Sequence, residues 1–371
     1  MRNIFRSIIE NNEIKQKYSF ANLNFGVYFN NNGLKEKFEE KMYPFIRIYK
    51  LDNLSFNLYS LINDNLYFKI KSMIEDQVAM DAVASYCTKE RGMVRIKKYK
   101  VDDLIVILSG KQQAFWVIDN KSSNMIFVGL KDALEHFHRE YCIFFEHVLT
   151  KKSIEKGAIL LHAAAVEKNN EAIILVGNKR SGKTTTFFEL CKNDGYSPVS
   201  VDKILVIEEL GRMKIYGVPT RLRVLAGTLS KYPELNSYIP DKYKNASQEL
   251  LWKGESDSKV EIPIKEFEKF VGMEFVTNSL MSTLVFNEIN KENEKPIVKI
   301  GFNSKNLSIL EKNTFAPFNP EEDWWSEIGI EMVGRIEKNK DILMDKIKTL
   351  NFVDYETQKD FSLLFDTINN L

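Results

Sequence analysis

The chain has 371 residues, enough for about two domains whose cores fold unaided. Lys and Arg total 52 against 51 Asp and Glu, a formal charge of +1, which excludes the strongly basic surface of a dedicated nucleic-acid binder. Cys87, Cys142 and Cys191 lie far apart and form no CxxC or Cys/His pair that would hold zinc or build a disulfide scaffold.

Aromatic residues make up 12% of the chain, a composition that buries a core rather than leaving the chain disordered. The opening MRNIFRSIIENNEIKQKYSF has no apolar core followed by small residues, and no run approaches the roughly 18 apolar residues of a membrane span. The expectation is a cytoplasmic protein with neither membrane nor nucleic-acid partners.

Up to about residue 130 short apolar runs alternate with polar turns: FGVYF from Phe25, FIRIY from Phe45, MVRIKKY from Met93, LIVIL from Leu104 and FWVID from Phe115. Their period of two predicts strands, with Ser109, Gly110 and Lys111 as a hairpin turn. Helices are expected over Leu34–Lys41 and Asp76–Ala84, which makes residues 1–130 an α+β accessory module. From Lys131 to Lys156, Leu134, Phe137, Tyr141, Phe144, Phe145 and Val148 recur at helical spacing and Gly157 provides a stop, so a connecting helix is expected there. His136, His138 and His147 form no i, i+4 pair and read as surface or packing residues.

Residues 157–371 alternate apolar runs and helical signals: AILLHAAAV, EAIILVG, a helix from Lys183 to Asn193, SPVSVDKILVI, a turn at Gly211, and MKIYGV. NEINKENEKP around Asn287 reads as a surface loop, and the tail after Trp324 as helical segments.

Within EAIILVGNKRSGKTTTFFEL, Gly177, Gly182, Lys183 and Thr184 fit GxxxxGK[ST], with an apolar strand before and a helix after. Phosphate oxygens need several donors converging on one point, and a glycine-containing loop plus a helix start supplies them from the backbone. Gly177, Asn178, Lys179, Arg180, Ser181, Gly182, Lys183, Thr184 and Thr185 are therefore the expected nucleotide cradle. Lys183 would meet the terminal phosphates and the Thr184 hydroxyl a magnesium ion. Asp202 follows an apolar, β-branched run, at a strand end where it could serve as metal partner or base. His162 lies on the strand entering this region, among small residues.

Four features in order, LLHAAAV, GNKRSGKT, SVDKILV and the glycine-containing YGVPTRLRV, resemble the catalytic domain of HPr kinase/phosphorylase. They resemble more closely the wider HPr-kinase-like group, some members of which accompany peptide natural-product clusters. The resemblance covers roughly residues 155 to 285. It implies an α/β fold: a P-loop, phosphoenolpyruvate-carboxykinase-like nucleotide domain preceded by a smaller α+β domain. It also implies ATP or GTP with Mg2+ and a seryl acceptor. Carried over, His162 lies near the reacting carboxylate and Asp202 fills the second place of the family's paired aspartates. Val201 stands in the first place, which argues against phosphorolysis and against HPr as the substrate. The family signature's ending, rich in Glu, Arg and Gly, is not reproduced.

Further charge near such a site could come from Lys203, Arg180, Arg221 and Arg223, and from Lys259 and Glu261, which share one face of a predicted strand in SDSKVEIPIKEF. The expected activity is transfer of a γ-phosphoryl group to a hydroxyl of a peptide or protein, with Asp202, His162 and Lys183 as catalytic residues and Thr184 and Asp202 as metal ligands. The alternatives are a small hydroxylated metabolite as acceptor, or a nucleotide-dependent switch; homo-oligomerisation stays open.

Overall fold

A computed structural model describes residues 1–50, 53–84, 94–108, 112–136, 141–252, 259–289, 295–314, 325–331, 335–357 and 360–371. The chain forms two compact units of nearly equal length, Met1–Ile159 with Phe315–Asp341, and Leu160–Thr314 with Ile342–Leu371. The expected smaller size of the first is therefore not observed.

The first unit contains α1 (Arg2–Glu10), β1 (Gln16–Phe20), β2 (Leu23–Phe29), α2 (Asn32–Met42), β3 (Arg47–Ile48), β4 (Phe56–Ile62), α3 (Asp64–Ile74), β5 (Met80–Ala84), β6 (Val94–Val101), β7 (Leu104–Leu108), β8 (Ala114–Asp119), β9 (Asn124–Gly129) and α4 (Ile143–Glu155). The strands form one sheet in the order β3-β1-β2-β4-β9-β8-β7-β6-β5. Its centre, β2-β4-β9, is parallel, and the strands from β9 to β5 are an antiparallel meander.

Helices cover both faces of this sheet, which is why its central runs are apolar without interruption. Phe115, Val117, Ile126 and Val128 pack with Phe5 of α1 and with Tyr67, Ile70 and Ile74 of α3. The alternate residues Phe25, Trp116 and Phe127 meet Phe38 of α2 and Tyr141, Phe144 and Phe145. Asn31 and Asn63 cap α2 and α3 by accepting the N–H of Leu34 and Leu66.

Two predicted helices differ. Residues Met80–Ala84 pair with β6 as a strand, since an exposed Met80 beside a buried Ala82 fits the period of a sheet edge. The helix expected over Lys131–Lys156 is a short 3-10 turn at Lys131–Leu134 followed by α4 from Ile143. Backbone groups at the first of these sites are tied to other elements: Lys131 N–H donates to Asp64 and the Leu134 carbonyl accepts from Lys37. The expected turn at Ser109–Lys111, together with Cys87, Phe137, His138 and Trp324, lies outside the described residues.

The second unit carries β10 (Ile159–Leu161), β11 (Ala164–Lys168), β12 (Glu171–Val176), α5 (Lys183–Asn193), β13 (Ser197–Ser200), β14 (Ile204–Glu209), β15 (Arg212–Gly217), β16 (Leu222–Leu225), α6 (Ala226–Leu229), α7 (Asp241–Lys244), α8 (Gln248–Trp252), β17 (Lys259–Ile262), α9 (Ile264–Val271), β18 (Asn278–Ile289), β19 (Ile297–Ile300), α10 (Ser304–Asn313), α11 (Arg335–Lys346), β20 (Asn351–Thr357) and α12 (Ser362–Asn369). Residue Ile159 of β10 and the start of α11 belong by packing to the first unit. The main sheet runs β10-β14-β15-β18-β12-β11-β13, with β20 on β18 and β19 on β20; β16 and β17 form a separate hairpin.

Two features differ from the sequence pattern. The loop expected around Asn287 starts later, because β18 continues to Ile289 by pairing with β20, and residues 290–294 lie outside the described ones. The tail also contains β20, a strand whose alternation in NFVDYET is completed only by β18 and β19.

Phe145 is fully buried, with Phe25, Phe38 and Tyr141 ring centroids 5.5, 5.6 and 5.8 Å away. Phe145→Ala is expected to cost about 3–5 kcal/mol, measured as an earlier urea midpoint by circular dichroism.

Candidate phosphate site

The loop Gly177–Gly182 connects the end of β12 to the start of α5, so the phosphate-binding pattern sits between a parallel strand and a helix amino terminus. β12 pairs in parallel with β18, Val176 opposite Phe286, which sets the next residues, Gly177 and Asn287, side by side. A Cβ on Gly177 would lie 2.7 Å from the Asn287 carbonyl oxygen and would also collide with the Ser181 hydroxyl. Only glycine fits that approach.

Arg180 and Gly182 both adopt left-handed backbone, φ +67° and +93°, and these two turns aim the chain into α5. No side chain caps the helix. The first helical N–H groups, including those of Lys183, Thr184 and Thr185, therefore have no acceptor within the helix and leave a partial positive charge there. Three successive threonines are poor helix formers, and tertiary contacts hold the turn instead. Thr185 meets Thr228 of α6 at 3.4 Å and Thr186 accepts from Asn287 at 2.6 Å. On its other side α5 packs Phe187 and Phe188 against Phe267 of α9.

Lys183 folds back over the loop, its ammonium donating to the carbonyls of Gly177 at 2.6 Å and Asn178 at 3.2 Å. Burial pushes this ammonium down to about 8, with Asp202 pulling it back up and Lys259 lowering it further. The Ser181 hydroxyl is buried with no hydrogen-bond partner among the described residues. An unsatisfied buried hydroxyl costs about 1–3 kcal/mol, so the loop is arranged for a polar ligand that it does not itself contain. A buried cation, an orphaned hydroxyl and uncapped helix N–H groups fit a phosphate chain.

His162 and Asp202 come from two strand switches. The chain passes from β10 to β11 through His162 and Ala163, and from β13 to β14 through Val201, Asp202 and Lys203. Because β10 pairs with β14 while β11 pairs with β13, each switch links one end of the sheet to the other. Two residues span at most about 11 Å, so the sheet curls until its ends meet and the two switches face each other. His162 Nε2 lies 3.3 Å from Asp202 Oδ1. The His162 N–H is fixed by the Asn313 carbonyl at 2.8 Å, and the Ser200 hydroxyl closes the second switch on the Lys203 carbonyl at 2.6 Å.

Burial raises the Asp202 carboxyl, but the hydrogen bond and charge of His162 and the charges of Lys203 and Lys259 outweigh it and hold the group below the usual carboxylate range. Its side chain is 45% exposed, so solvent screens these attractions and they are a statement about ionisation rather than stability. Ionised Asp202 can offer oxygen to a magnesium ion, which needs only one or two protein ligands when it arrives on phosphate oxygens.

Lys183, Asp202, His162, Lys203 and Lys259 therefore share one electrostatic neighbourhood. Lys259 and Glu261 do lie on one exposed face of β17. Glu261, however, is paired with Arg221 at 3.0 Å, and Arg223 stands opposite Glu261 in the hairpin, which makes this part of the cluster a local ion-pair face. Asn178, Lys179 and Arg180 are exposed on the loop, and Val201 is buried in the apolar core. The described residues also line an open cleft of about 340 Å³ by Glu171, Arg212, Met281 and Lys346, which contains none of the candidate residues.

The sequence pattern missed Asn287, Thr186 and Thr228. For Asn287 a signal existed: a polar residue closing the long apolar strand NSLMSTLVF, at the carboxyl strand end where α/β sheets place ligands.

No family model matches the chain, and no curated protein matches it. Among solved structures it is matched with the Hpr(Ser) kinase/phosphatase from Coxiella burnetii, at 11% identity over 51% of this chain and 94% of that one, with a TM-score of 0.24. A score that low carries no argument. Among the described residues, no helix is long and apolar enough to cross a membrane.

Gly177→Ala is expected to destabilise the second unit by about 1–3 kcal/mol through overpacking, read as a lower urea midpoint, and to weaken nucleotide binding in the same preparation. Phosphate recognition needs the charged form of Lys183, whose ammonium titrates at about 8. Nucleotide affinity is therefore expected to hold between about pH 7 and 8 and to fall above 8 by up to about tenfold per pH unit, one proton being taken up on binding. Titration calorimetry checks this, and Lys183→Arg, which stays charged, should flatten the profile.

Proposed function

We propose that the second unit binds ATP or GTP with magnesium and transfers the γ-phosphoryl group to a hydroxyl, that of a serine in a peptide or protein. The observation that supports this most is the conjunction of a strand-loop-helix phosphate cradle with a separate ionised carboxylate, Asp202, at the facing strand switch. A cradle alone would explain binding; a carboxylate held in the same electrostatic neighbourhood supplies a partner for the acceptor.

In this reading the loop from Gly177 to Gly182 and the first N–H groups of α5 hold the phosphates, and Lys183 exchanges the carbonyls of Gly177 and Asn178 for phosphate oxygens. Thr184 and Asp202 are the residues that would hold magnesium, which when bound neutralises charge on the β- and γ-phosphates. Asp202 accepts a hydrogen bond from the acceptor hydroxyl and aims it. A carboxylate held at low pKa is a weak base, which suits a loose phosphoryl-transfer transition state in which positioning and charge stabilisation matter more than early proton removal. His162 fixes the Asp202 carboxylate, and Lys203 and Lys259 add positive charge beside the transferred group.

The alternative acceptor is a small hydroxylated metabolite. A nucleotide-dependent switch is favoured by one observation, that Val201, in the place of a second carboxylate, is a core residue.

The test is γ-labelled nucleotide with magnesium and peptides or proteins encoded beside this gene. Label on a serine is expected. Lys183→Ala should reduce transfer at least about 100-fold, and Asp202→Asn should reduce turnover about 100-fold or more while nucleotide affinity changes little. Label found only as inorganic phosphate would replace the kinase with the switch. Unchanged turnover in Asp202→Asn would remove Asp202 from the chemistry.

A further inference from the structure

Asn287 ends the apolar part of β18 at the point where that strand passes the phosphate loop. It is 5% exposed, and its backbone carbonyl is the group that makes Gly177 obligatory. Its side-chain amide donates through Nδ2 to the hydroxyl of Thr186, itself 1% exposed, at 2.6 Å. Among the described residues its Oδ1 is buried with no hydrogen-bond partner.

An amide has two polar ends, and one Thr186 hydroxyl satisfies one of them. Whichever way the amide lies, the other end is left over. A residue that served only to join β18 to α5 would not need that second end, since Thr or Ser would make the same bond without burying an unsatisfied atom. The unsatisfied atom lies on a residue that touches both ends of the cradle: Gly177 at its start and Thr186 in the first turn of α5. The Ser181 hydroxyl, likewise unpartnered, is the other group against which a Gly177 Cβ would collide. Two orphaned buried polar groups thus flank Gly177, one from the loop and one from the neighbouring strand.

We propose that Asn287 is a positioning residue for the bound nucleotide: one end of its amide sets the first turn of α5 against β18, and the other end takes its partner from the phosphate and water shell of the nucleotide. This inference rests on the reading of the loop as a nucleotide site. It assigns a role to a strand-end residue outside the GxxxxGK[ST] pattern, and it explains why a polar residue is buried at the end of an apolar strand.

The experiment compares wild type, Asn287→Leu, Asn287→Ala and Lys183→Ala in the full chain. Binding of ATP with and without magnesium is measured by calorimetry, thermal unfolding without nucleotide by circular dichroism, and amide hydrogen exchange of residues 177–186 with and without ATP. For Asn287→Leu the expected result is unfolding within a few degrees of wild type without nucleotide. Its ATP affinity should fall about tenfold or more, the scale of one hydrogen bond to a charged group, and the ATP-induced protection of residues 177–186 should be lost. Asn287→Ala, which adds no bulk, gives the same comparison should leucine not fit. Wild-type affinity and protection in the variant that folds would overturn the proposal, as would a loss of affinity no larger than its loss of apo stability accounts for. Should wild type itself bind no ATP, the nucleotide reading fails first. Should wild type bind and Lys183→Ala lose binding while the Asn287 variants keep it, only the role of Asn287 fails.

Discussion

The parallel pairing of β12 with β18 is the constraint on which the candidate site depends. It puts Gly177 against the carbonyl of Asn287, and from that single close approach follow the glycine at the start of the loop and the position of the loop over the strand ends. The Asn287 amide then ties the first turn of α5 to the same strand. Strand, loop and helix are thereby fixed to one another by backbone proximity and one buried side chain. A loop built this way can present backbone donors without rearranging first, which spares a polyanionic ligand part of the ordering cost of binding.

The second device is the closure of the sheet by two short strand switches. Neither His162 nor Asp202 belongs to the phosphate loop; they meet because β10 leads into β11 while β13 leads into β14, so residues forty positions apart arrive at 3.3 Å. Asp202 then lies among positive charges, and its ionised state is the sum of burial, which opposes it, and of His162, Lys203 and Lys259, which favour it. Lys183 experiences the converse: burial and Lys259 lower its pKa while Asp202 raises it. The two groups are each other's partial compensation, and a phosphate chain carrying its own negative charge would enter exactly where that compensation is incomplete. The first unit is organised by different means, a nine-stranded sheet covered on both faces and an aromatic cluster centred on Phe145.

Much of the second unit was legible because its signals are local. The span Lys183–Asn193 of α5, the strand EAIILV before it and the turn at Gly211 follow from periodicity, glycine and chain polarity over a few residues. The failures were of another kind. MDAVA carries no strong local preference and becomes β5 because β6 offers it hydrogen bonds; NFVDYET becomes β20 because β18 and β19 flank it. The segment from Lys131 has helical spacing, yet its backbone is claimed by Asp64 and Lys37.

The sequence by itself determined the phosphate-binding pattern, the need for glycine within it, the lysine and the candidate carboxylate, because each depends on residue type and short spacing. Only the tertiary structure decided that His162 meets Asp202, that Lys259 acts on both Asp202 and Lys183 while Glu261 is taken by Arg221, and that Asn287 supports the loop. Those relations join residues brought together by strand pairing and sheet closure, and strand pairing is selected by the burial and hydrogen bonding of the whole unit rather than by any segment's own pattern.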